Sequence, residues 1–82
     1  MGIFLTWYES EKAEKIEDIL DEREMDIEML PTPDILREQD VMICKDCFQV
    51  IVGEQEIWSL STLGFPANTK CFTKDGELKW EL

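Results

Sequence analysis

Three cysteines, Cys44, Cys47 and Cys71, are the side chains best equipped for chemistry, and Cys44-Lys45-Asp46-Cys47 sets two of them at C-x-x-C spacing. A pair of thiolates held by a tight turn can grip zinc, which then needs two more ligands. The chain has no histidine. A zinc site would therefore use Cys44, Cys47 and Cys71, with a carboxylate or water in the fourth position. The same spacing supports redox chemistry where the first cysteine opens a helix, whose dipole lowers its pKa. Phe48 to Val52 has strand composition instead, which works against that arrangement. In the remaining reading Cys44 and Cys47 are small apolar fillers in or beside a hairpin, facing opposite ways.

Carboxylates are the second resource. Asp and Glu number 19 against 8 Lys and Arg, for a net charge of −11. Ten of the acids lie in residues 9 to 28, ESEKAEKIEDILDEREMDIE, beside only Lys12, Lys15 and Arg23. Ala13, Ile16, Ile19 and Leu20 recur with helical spacing, so this stretch predicts an amphipathic helix with a dense acidic outer face. Helix stability does not explain that face. Glu14/Asp18, Glu17/Asp21 and Asp18/Glu22 are like-charged at i, i+4, and Asp21, Glu22 and Glu24 oppose the dipole at the C-terminal end. Carboxylates on a solvated helix also lack the burial that separates the pKa values of an acid–base pair. Their expected role is binding, through Glu11, Glu14, Glu17, Asp18, Asp21 and Glu22. The plainer alternative is that an acidic surface serves solubility.

The chain carries eight aromatic residues. Most are core by spacing, but a core this small rarely hides three tryptophans. Trp58 and Phe65-Pro66 are the candidate exposed anchors, since Trp is favoured at interface hot spots.

The positioning elements follow in chain order. Gly2 to Tyr8 is uncharged and reads as an interior strand covered on both faces. Ser10 is the expected N-cap of the acidic helix, which fades near Glu24. Asp26 to Leu30 alternates as a half-buried strand, and Pro31-Thr32-Pro33 ends it. Asp34 caps a single turn through Arg37. Val41 to Cys44, then Cys47 to Val52 after a Lys45-Asp46 turn, and then Ile57 to Leu63 read as further strands. Lys70 to Leu82 is a hairpin with Asp75-Gly76 in its turn, and Leu78, Trp80 and Leu82 on one face. The expected fold is α+β: one principal amphipathic helix on a mixed, mainly antiparallel sheet of five to seven short strands, starting β-α-β and ending in a β-hairpin.

Eighty-two residues predict a single small acidic domain with 44% hydrophobic residues, too ordered in composition for a disordered chain and small for a cleft enzyme. The net charge excludes unaided binding to nucleic acid or to an anionic membrane. No phosphate-cradling glycine loop, nucleophile elbow or EF-hand spacing is present, and an enzymatic role is not expected. The start MGIFLTWYES lacks the basic region of a signal peptide. It matches the N-myristoylation pattern through Gly2 and Thr6, in competition with the strand reading of Ile3 to Trp7. The odd cysteine count points to a reducing, cytoplasmic setting.

In size, acidity and lack of catalytic motifs the chain resembles small inhibitors of nucleases, glycosylases and defence enzymes encoded by viruses or mobile elements. That resemblance implies an interaction module that blocks a basic, nucleic-acid-binding groove, acting as monomer or homodimer without a cofactor. The phrase IEMLPTP, after a strand and a helix, resembles small selenium/sulfur-carrier domains with a prolyl loop before a cysteine. From the cysteines themselves, the alternative function is a module using Cys44, Cys47 and Cys71, either a zinc-binding adaptor or a sulfur/redox carrier. A third expectation is a regulatory subunit that binds through an exposed sheet edge.

Overall fold

A computed structural model describes residues 2–82. Gly2–Thr6 forms β1, Lys12–Glu22 α1, Asp26–Pro31 β2, Asp34–Gln39 α2, Asp46–Ile51 β3, Lys70–Thr73 β4 and Leu78–Glu81 β5. The five strands make one sheet in the order β2-β3-β1-β4-β5, with every neighbouring pair antiparallel. Because β1 and β2 each run antiparallel to β3, they are parallel to one another with β3 inserted between them. The chain thus opens strand–helix–strand and closes on a hairpin, as the pattern predicts. Uncharged β1 takes the central position, and all five of its residues are buried.

Two cores form, one on each face of the sheet. Ile3, Leu5 and Trp7 of the β1 region point to the α1 side, where Ile16 and Leu20 meet Phe48, Val50, Ile57, Leu60, Cys71 and Trp80. Trp7 and Phe48 pack with ring centroids 5.0 Å apart. On the other side Phe4, Leu36, Ile43, Cys47 and Phe72 make a smaller cluster under α2.

Several local expectations are corrected. Ser10 does not cap α1: the helix starts at Lys12 without a side-chain cap, after a turn in which the Lys12 N–H donates to the Glu9 carbonyl. Residues 41–44 form a turn instead of a strand, and Asp46 already belongs to β3. Asp40 sets that turn, its Oδ1 accepting the Met42 N–H at 3.0 Å, the local bond that favours Asp in turns. The strand expected over Ile57 to Leu63 is absent: residues 54–62 hold two 3₁₀ turns, Glu54–Glu56 and Ser59–Thr62. There the Ser59, Ser61 and Thr62 hydroxyls each donate to the carbonyl three residues back. The buried positions Ile57 and Leu60 match the three-residue period of that helix. At the terminal hairpin a register shift pairs Leu78 with Phe72 and Trp80 with Cys71. Trp80 is therefore buried among the α1-side residues, while Leu78 and Leu82 stay exposed. The turn itself holds Gly76 at φ +88° against Ile35, a position that suits only glycine.

Helix α1 ends in a Schellman arrangement: the Met25 N–H reaches the Leu20 carbonyl and the Glu24 N–H that of Asp21. This puts Glu24 at φ 54°, a left-handed conformation that glycine adopts without strain. Glu24→Gly is expected to stabilise the fold by about 1 kcal/mol, by relieving that strain and removing an anion from the helix C-terminus. Urea denaturation with an unchanged m-value checks it.

Candidate functional site

The six carboxylates of Glu11, Glu14, Glu17, Asp18, Asp21 and Glu22 are all exposed. At about 100° per residue they fall within an arc of roughly 140° on the side of α1 away from Ile16 and Leu20. Lys12 and Lys15 lie at one margin of that arc rather than inside it. Among the described residues the ion pairs are Lys70–Asp40, Lys70–Glu81 and Lys79–Glu77. None involves a carboxylate of α1, so the strip is neither hidden against the sheet nor neutralised by the chain's own cations. From Glu11 to Glu22 the helix rises about 16 Å, or one carboxylate per ~3 Å. A duplex presents one charge per ~1.7 Å and a single strand one per ~3.4 Å. The strip therefore matches one nucleic-acid strand, and about half a duplex, in charge density over a short length.

Trp58 lies in the turn between the two 3₁₀ segments, on the α1 side of the sheet, with 59% of its surface exposed. Phe65 and Pro66 are buried, Phe65 stacking on Trp80 at 6.2 Å, so they are core and not anchors. One further acid stands near the C-terminal end of α1, beside Arg23 rather than on the strip. Glu56 borders, with Arg23, Met25, Ser59, Leu60 and Leu63, a groove of about 410 Å³ at the C-terminal end of α1. No signal in the sequence marks it, because it stands just before Ile57 to Leu63, which has the composition of a strand. The 3₁₀ fold instead carries it back to the helix end.

The cysteines are not brought together. Cys47 is buried in the α2-side cluster and Cys71 in the α1-side core, while half-buried Cys44 packs against the latter. No three Cys, Asp or Glu side chains converge as metal ligands among the described residues. Burial pushes the Cys47 thiol up to about 11 and the Cys71 thiol up to about 12. Both are neutral at pH 7 and poor nucleophiles or ligands. The prolyl loop does reach the C-x-x-C segment: the Thr32 hydroxyl donates to the Cys44 carbonyl and its N–H to the Lys45 carbonyl, each at 2.8 Å. Those bonds fasten the segment to the end of β2.

The tightest polar cluster sits at the opposite face. Asp40 Oδ2 accepts hydrogen bonds from Lys70 Nζ and from the Tyr8 hydroxyl, and Lys70 also lies over the Tyr8 ring. Burial opposes ionisation of both charged groups. The mutual hydrogen bonds outweigh it, so the Asp40 carboxyl is held below, and the Lys70 ammonium above, its ordinary range. With a lowered pKa, Asp40 contributes stability above about pH 4 that is lost as the pH falls through its folded value. With a raised pKa, Lys70 contributes below about pH 10.4 and loses it as the pH rises through its own folded value. Asp40→Asn is therefore expected to cost about 2 kcal/mol between about pH 5 and 9. The gap from wild type should close as the pH falls below about 4, as checked by denaturant titrations carried from pH 9 down into that acid range.

No protein-family model, curated protein or solved structure was found to match the chain. No helix among the described residues is long and apolar enough to cross a membrane.

Proposed function

We propose that this chain is a protein–protein interaction module that presents the acidic strip of α1 to a basic partner surface. In its sharp form it is an inhibitor that occupies the nucleic-acid-binding groove of a processing or defence enzyme, with carboxylates where phosphates would lie. The observation that carries this reading is the strip itself: six exposed carboxylates on one face of a packed helix, none paired internally. An unpaired line of charge attracts an oppositely charged channel over long range and steers association. Trp58 supplies an exposed aromatic anchor on the same side of the sheet. The test is capture on the immobilised chain from its source cell or that cell's host, with elution by a salt gradient. A partner that leaves at moderate salt and carries a basic groove supports the reading. Retention insensitive to salt overturns it.

A cysteine-dependent carrier is the second reading, favoured by the Thr32 bonds that hold the C-x-x-C segment against the prolyl loop. With Cys47 and Cys71 buried and neutral, it would rest on Cys44. Cys44→Ser with unchanged partner capture and no lost thiol reactivity removes it.

A further inference from the structure

We infer that the free edge of β2 accepts an extended basic segment of the partner as a sixth strand. This rests on the reading above for the partner's charge, but it names a second contact surface. The sheet ends at β2 and β5, and no strand pairs with the outer side of either among the described residues. Strand β5 is the poorer template. It has four residues, its pairing with β4 carries the register shift, and its charges are engaged, Glu81 with Lys70 and Lys79 with Glu77. Strand β2 runs through six consecutive pairs with β3, from Asp26↔Ile51 to Pro31↔Asp46. Its outer row of N–H and C=O groups is therefore straight and open until Pro31, which has no N–H.

The alternation of β2 specifies the occupant. Asp26 and Glu28 lie on one face, exposed and free of ion pairs, and flank a cleft floored by Gln49 and Ile51. Ile27 and Met29 lie on the other face, Met29 half exposed. A strand laid along this edge would place alternate residues beside the two carboxylates and the rest beside Ile27 and Met29. Lys or Arg alternating with apolar residues fits both faces. A second copy of this chain does not fit, because it would bring the same acidic strand against Asp26 and Glu28.

The probe is a synthetic eight-residue peptide of alternating Lys and Val, titrated against the intact chain with amide hydrogen exchange as readout. Strand addition predicts new protection at the outward-facing amides of Ile27 and Met29, the alternate ones being already bonded to β3. It also predicts a loss of about tenfold or more in affinity when alternate peptide amides are N-methylated, which keeps the charge and removes the backbone bonds. Asp26→Lys with Glu28→Lys should weaken the unmodified peptide by a similar factor. No binding, equal binding of the N-methylated peptide, or protection confined to α1 overturns the inference. Any of those results, with salt-sensitive partner capture through α1 intact, leaves the proposed function standing. Peptide addition at β2 with no salt-sensitive capture would sink that function instead.

Discussion

Replacing Glu14, Glu17, Asp18 and Asp21 together with lysine is expected to lower affinity for the captured partner by about 100-fold or more while the fold survives. All four side chains are exposed, and substitutions at such positions usually move stability by under about 0.5 kcal/mol each. The new lysines also lie beside Glu11 and Glu22 at helical spacing, and Lys at position 21 complements the helix dipole. Binding responds differently. Each replacement inverts a charge within the arc proposed to face the partner, so attraction along the strip would become repulsion near the contact. Circular dichroism and denaturant titration should match wild type, with loss only in the binding isotherm. If binding survives, the partner is held elsewhere.

Phe48→Ala is expected to have the largest effect on stability, about 3–5 kcal/mol. Phe48 is 1% exposed, stands in β3 between β1 and β2, and packs directly on Trp7. A chain of this size has roughly 4–12 kcal/mol in total, so the loss takes between about a quarter and all of it. The comparison is made at a temperature where the variant is unfolded and wild type is not. Its net charge is unchanged. The substitution therefore separates two explanations of binding that share one composition. If an ordered strip is required, the variant should lose binding together with its helical signal. If acidity alone suffices, the unfolded variant should bind about as well as wild type.

The fold was legible where one periodicity ruled a long segment. Uncharged β1, the alternation of β2 and the helical spacing of Ile16 and Leu20 all led to the right elements, and so did Asp75-Gly76 in the closing turn. Where two periods competed, the reading failed. Ile57, Leu60 and Leu63 have a three-residue repeat that a two-residue reading obscured, and hydroxyl-to-carbonyl bonds from Ser59, Ser61 and Thr62 secured the tighter helix. Val41 to Cys44 is rich in strand formers, yet Asp40 bonds the Met42 N–H and turns the chain. The acidic strip was visible from helical spacing alone. Its freedom from internal ion pairs was not, because that depends on where Lys70 and Lys79 fall after folding. The link of Asp40 with Tyr8 and Lys70 joins residues more than 29 positions apart and left no local signal.

The proposed function requires the outward carboxylates of α1 to compete for the same basic surface as a phosphate backbone. The most direct measurement titrates duplex DNA into the preformed complex of this chain with its captured partner and follows release. The account predicts full displacement by DNA at a fixed ionic strength near ~0.1 M, with bound chain and bound DNA mutually exclusive, the salt held constant because it weakens both associations. A ternary complex that persists at saturating DNA would contradict it.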